Sequence, residues 1–165
     1  MRVIKYGVEL NEEGRPLIVA ERSFDFGGAE VCGDPASVTA LLCECFRLSD
    51  MAEEYAYVLG LTNKGKLLGV FELSHGTACG SPIGMRELML RLILVGAASF
   101  VVVHNHPSGD VIPSDDDFET CEKIKKAADL MGFAFSDFII VGKEIGGDGQ
   151  SRYLSFFEEG ILNTN

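Results

Sequence analysis

Apolar positions along the chain fall into alternating runs, helical stripes and one stretch that is apolar on both faces. Val3 to Val8 and Pro16 to Arg22 read as extended segments separated by the turn-rich Asn11-Glu12-Glu13-Gly14, which predicts a hairpin. Asp34 can cap a helix and Pro35 suits its first position; Val38, Leu41, Leu42, Cys45 and Phe46 then form one apolar stripe. Tyr55 to Leu61 and Lys66 to Ser74 are predicted strands about the turn Asn63-Lys64-Gly65. A second helix is expected to begin beside Ser81 and Pro82, with Ile83, Leu88, Leu92 and Val95 at helical spacing and Gly96 placed to end it. Ser99 to Val103 is apolar on both faces, as a central strand covered by helices requires. A third helix should run from about Asp115 to Met131, with acids in its first turn and Gly132 just past its end. Phe135 to Val141 and Tyr153 to Phe157 are closing strands around the glycine-rich turn of Ile145 to Gly149.

These elements predict an α+β fold, a single domain with a central mixed β-sheet flanked by helices. Residues 1–33 read as an N-terminal strand extension packing on a core domain formed by residues 34–165. A chain of 165 residues, 47% of them apolar, can bury such a core without disulfide support. The run from Leu92 to Val103 is too short to span a bilayer, and the charged, alternating N-terminus lacks the unbroken apolar segment of a signal peptide. A cytoplasmic, non-membrane protein is therefore expected. The five cysteines are scattered and read as buried free thiols. A net charge of −11 opposes binding to phosphate backbones, and Lys123, Lys125 and Lys126 sit among acids as an ordinary solvated helix face.

The segment HNHPSGDVIPSDDD, starting at His104, carries the chemistry. Side chains alternate across a strand, so His104 and His106 share one face at the exit of the buried strand while Asn105 points away. The loop through Pro107 and Pro113 doubles back, so that Asp117 in the first turn of the third helix can reach the same ion. Three protein ligands leave one tetrahedral position for water, the arrangement of a catalytic zinc site. The segment also has a plainer reading, because Ser114 through Asp117 resembles a helix capping box with aspartate in place of glutamate. The two uses of Ser114 are compatible.

The spacing His-x-His, seven residues, Ser, two residues, Asp, met by His104, His106, Ser114 and Asp117, resembles the signature of the JAMM metalloproteases. With Gly76-Thr77, Ser81-Pro82 and Arg86-Glu87 upstream, the chain looks like the RadC-like branch of that family from about Asp50 onward. The resemblance implies zinc, a metallopeptidase-type site acting on a peptide or protein substrate, and a sheet flanked by helices. It also implies a glutamate general base at the start of a strand, which falls on the pair Glu53-Glu54; the family pattern favours Glu53. Ser114 would donate a hydrogen bond to the developing oxyanion. One departure stands out: Asp137-Phe138 occupies a place where RadC-like chains commonly carry Asp-His. Two other readings accompany the hydrolase, a noncatalytic zinc-containing interaction module and the DNA-repair association that comes with the family name, the latter opposed by charge.

Overall fold

In the computed structural model, which describes residues 1–28, 32–76, 83–143 and 152–162, the chain forms one domain built on a seven-stranded mixed sheet. Strands β1 (Arg2–Leu10) and β2 (Pro16–Asp25) make the first hairpin. Helix α1 (Pro35–Phe46) follows, with the Asp34 side chain accepting from the Ser37 amide as expected of its cap. A short 3-10 turn at Leu48–Asp50, absent from the sequence reading, leads into β3 (Glu54–Leu61) and its partner β4 (Leu67–Gly76). Helix α2 (Met85–Val95), β5 (Ser99–His106), α3 (Asp115–Met131), β6 (Ala134–Gly142) and β7 (Arg152–Ser155) complete the domain. The expected start of α2 beside Ser81 and Pro82 and the glycine-rich turn of 145–149 lie outside the described residues.

The strand order is β2-β1-β4-β3-β5-β6-β7. β1 meets β4 in parallel, and β5 meets β6 in parallel; the remaining neighbours are antiparallel. The first hairpin thus continues the central sheet through β1. Strand β5 is interior, which explains why Phe100 to Val103 are buried on both faces.

Alternation along β5 divides the core. Val101 and Val103 face one side with Leu59, Leu61, Ile139 and Val141, covered by Val38, Leu41, Leu42 and Phe46 of α1. Phe100 and Val102 face the other with Val58, Phe138 and Ile140, covered by Leu88 and Leu92 of α2 and Ile124 and Ala128 of α3. Each fully buried aliphatic or aromatic side chain of this kind contributes about 1.5–3 kcal/mol relative to exposure. On the outer surface of α3, Lys123 pairs with Glu119 and Lys126 with Glu122, both at 2.7 Å and four residues apart, the solvated face anticipated from sequence. Among the described residues no helix is long and apolar enough to cross a membrane.

Asp137 fastens the last strand. It is buried, and its carboxylate accepts from the amides of Phe138 at 2.8 Å and Phe157 at 2.9 Å and from the Ser155 hydroxyl at 2.5 Å. Burial raises its carboxyl above the usual value of 3.8 despite these donors. The folded chain therefore binds this proton more tightly than the unfolded one, so Asp137 favours the fold most below pH 3.8 and that contribution is lost as pH rises through the raised value. Asp137→Ala should cost about 3 kcal/mol in urea unfolding, because buried donors left unmade cost about 1–3 kcal/mol each. Asp137→Asn should cost less, and the comparison should move in favour of the asparagine variant between pH 4 and pH 7.

Candidate metal centre

The parity that divides the core also builds the site. His104 and His106 continue the face of Phe100 and Val102, beneath α2 and α3, while Asn105 continues the opposite face. Asp117 enters from above, in the first turn of α3. Imidazole nitrogens of both rings and a carboxylate oxygen of Asp117 lie within 4.8 Å of one another. His104 Nε2 is 3.2 Å from Asp117 Oδ1, and His106 Nε2 is 3.4 Å from Asp117 Oδ2.

Each donor is prepared by its surroundings. His106 Nδ1 donates to the Asp110 carbonyl at 2.7 Å; a carbonyl can only accept, so this bond places the proton on Nδ1 and leaves Nε2 the lone pair of the neutral ring. The loop bearing that carbonyl is seated on Gly142, where a Cβ would stand 2.5 Å from the Gly109 carbonyl oxygen. Asp117 is held by the box predicted for the helix start. Ser114 N and Ser114 Oγ both donate to Asp117 Oδ2 at 2.7 Å, while Ser114 Oγ accepts from Asp117 N at 3.2 Å.

Charge follows from burial and contact. Burial pushes the His104 imidazole down to about 4, against the pull of Asp117, so the ring is neutral at neutral pH. The Asp117 carboxylate raises His106, with burial opposing. Burial alone would raise Asp117, but His106, His104 and Ser114 outweigh it and hold the carboxyl well below the usual range. His104 Nε2 is buried without a hydrogen-bond partner. Buried polar atoms are normally satisfied, and a ring nitrogen left without a hydrogen bond beside a second imidazole and an ionised carboxylate fits a divalent cation.

A cavity of about 390 Å³ opens over this cluster, lined by Glu54, Ile83, His104, His106, Ser114, Asp116, Asp117 and Phe138 among others. The glutamate favoured in the sequence reading, Glu53, is not among its walls. The rung Ala56↔His104 fixes the reason: residues 54 and 56 share the face of His104 and His106, and residue 53 does not. Glu54 is half-buried and its carboxyl is raised by burial, with His106 opposing and Asp117 adding to the rise. Glu53 is exposed and contacts the ring of His75, which stacks on Tyr55 at 4.1 Å between centroids. Ser114 lines the cavity, but its hydroxyl hydrogen is directed to Asp117. Phe138, at the place of the expected histidine, is buried and packs against the His104 ring at 5.1 Å.

Residues 32–161 match the RadC-like JAB domain family. Among curated proteins, a UPF0758 protein of Porphyromonas gingivalis is 36% identical over 115 residues, which is 70% of this chain and 48% of that protein. One from Pelobacter propionicus is 36% identical over 117 residues, 71% and 48% of the two chains. One from Staphylococcus haemolyticus is 32% identical over 139 residues, 84% and 57%. The chain spans about half the length of the curated relatives it matches.

Zinc added to chelator-treated protein should bind at one equivalent and raise the unfolding temperature by about 5–10 °C at a hundredfold excess over Kd. His104→Ala should abolish both effects in calorimetry. Ser114→Ala should retain binding weakened by roughly tenfold, the usual size of an outer-shell loss. Gly142→Ala should weaken it as well, because the added methyl displaces the Gly109 carbonyl and with it the loop that orients His106.

Proposed function

Since the chain belongs to the RadC-like JAB domain family, we propose that it is a zinc-dependent hydrolase that cuts an amide bond in a peptide or protein, using Glu54 as its general base. The observation that carries this reading is the convergence of an orphaned imidazole nitrogen, a second imidazole, an ionised carboxylate and a separate half-buried glutamate in one cavity. A purely structural zinc site needs no such glutamate beside it.

His104, His106 and Asp117 would hold the ion. Zinc supplies Lewis acidity and lowers the pKa of a water molecule toward neutrality. The chain's own residues do the rest. Glu54 accepts the proton that the attacking water loses and returns it to the leaving nitrogen, as the new C–O bond forms and the C–N bond breaks. A carboxyl raised by burial suits a group that must take and release a proton near neutral pH. Ser114 keeps Asp117 oriented; the oxyanion role assigned to it from the resemblance requires the hydroxyl to turn from Asp117 toward the substrate.

The cavity argues for the class of substrate. Its charged walls are carboxylates, those of Glu54, Asp116 and Asp117, and among the described lining residues there is no lysine or arginine. A polyphosphate backbone would meet repulsion there, whereas a neutral amide would not. The free thiols Cys32, Cys43, Cys45 and Cys121 fit a reducing cytoplasm as the setting.

Zinc-loaded protein incubated with pooled fluorogenic peptides, bearing either α-peptide or lysine isopeptide linkages, should release fluorescence. Glu54→Gln should retain zinc and lose about 10²–10⁴-fold in rate, the usual contribution of a general base. Glu53→Gln should stay close to wild type. Wild-type turnover in Glu54→Gln would reject this base, and a wild-type chain inert toward the whole pool would favour the noncatalytic module.

A further inference from the structure

Asn105 stands between the two imidazoles in sequence and on the opposite face of the strand in space, and it is 1% exposed. Both ends of its carboxamide are engaged by one short piece of backbone. Oδ1 accepts from the Tyr55 amide at 2.8 Å, and Nδ2 donates to the Glu53 carbonyl at 3.1 Å. Those two groups belong to the residues on either side of Glu54. The side chain therefore brackets one residue, the glutamate that lines the cavity.

The sheet shows why a bracket is needed. The β3–β5 ladder runs from Leu61↔Ser99 to Ala56↔His104 and stops there, so the backbone before Ala56 has no rung to β5. On its other side β3 is paired as far as Glu54↔Gly76. The carboxamide bridges the gap on the β5 side. Its orientation is settled by chemistry, since an amide N–H can only donate and a carbonyl oxygen only accept. Aspartate would keep the acceptor, lose the donor and bury a charge; leucine would keep the shape and lose both.

We propose that Asn105 is a positioning residue for Glu54, an inference that rests on the role given to Glu54 above. It fixes the backbone on both sides of that residue, so β5 carries the two imidazoles on one face and, through Asn105 on its other face, holds the backbone that presents Glu54 to the same cavity. A side chain that merely satisfied two buried backbone groups would leave Glu54 in place when replaced, or would disturb the ligands as much as the glutamate.

The test uses Asn105→Ala in the purified chain loaded with zinc, with Asn105→Ser as the milder variant should the alanine form not fold. Exchange of the Tyr55 amide should accelerate about tenfold, as expected for one lost hydrogen bond, while the Val58 amide in the same strand keeps its protection. Zinc affinity measured by chelator competition should hold, and a crystal structure should show the Glu54 carboxylate displaced from undisturbed histidine and aspartate ligands. A Glu54 that stays in place, or a zinc affinity that falls with the substitution, would overturn the proposal. Peptide cleavage gives an independent reading: in a Glu54→Gln background, replacing Asn105 should change the residual rate no further, and an additional loss counts against it. If Glu54→Gln itself cleaves like wild type, the base assignment fails, and amide exchange and the crystal structure still decide whether Asn105 places Glu54.

Discussion

The site depends on the pairing of β3 with β5 at the rung Ala56↔His104. A pleated strand alternates with a period of two, so one rung assigns every neighbouring side chain to a face. It puts His104, His106 and Glu54 on the face under α3 and Asn105 and Tyr55 on the opposite one, while Glu53, just before β3, stays exposed beside His75. A slip of one residue in either strand would keep the strand and lose the site. The register is protected by the core that the same strands bury, since Val58 and Val102 pack on one face and Leu59, Val101 and Val103 on the other. Packing and chemistry are thus set by one parity.

The third member of the cluster is placed by helix chemistry. Asp117 is the third residue of α3, where a capping box would usually put glutamate, and its carboxylate receives the Ser114 amide and hydroxyl as well as lying near both imidazoles. The helix N-terminus favours negative charge at this position. One carboxylate therefore caps the helix and is placed where it could hold an ion with the two imidazoles, and neither reading of Ser114 and Asp117 displaces the other. The shorter aspartate keeps its oxygens close to the helix start, where the imidazoles converge.

Much of the fold was legible because its punctuation is local. Helix α3 runs from Asp115 to Met131 as predicted, since Ser114 caps one end and Gly132, at φ 76°, closes the other. The two imidazoles and Asp117 were legible as a group because strand alternation and a doubling loop suffice to bring them together. The choice between Glu53 and Glu54 was not. From Tyr55 to Leu61 the strand is apolar on both faces, so hydrophobicity carries no record of which residues look toward α3; only the rung to His104 supplies it. Nor could Asn105 be singled out, because its partners are backbone groups some fifty residues away, bonds that no composition or spacing encodes. The 3-10 turn at Leu48–Asp50 escaped for a related reason: α1 is closed by Arg47 in a left-handed conformation at φ 56°, a place where sequence leads one to look for glycine.

Electrostatics explain why these groups are worth assembling. In a chain of net charge −11, the cavity gathers further carboxylates around a ring that burial holds neutral and whose Nε2 makes no hydrogen bond. An unmade buried hydrogen bond costs about 1–3 kcal/mol, and raising the Glu54 carboxyl adds a further penalty at neutral pH. Phe138 sharpens the effect, since an apolar ring against His104 offers neither a donor nor water to relieve it. These are costs a folded domain does not need for its own stability, and a bound dication would offset them together, with His104 Nε2 and Asp117 as partners for its charge and Glu54 favoured in its ionised form. The features that make the cluster unfavourable by itself are those that would suit it to a doubly charged guest.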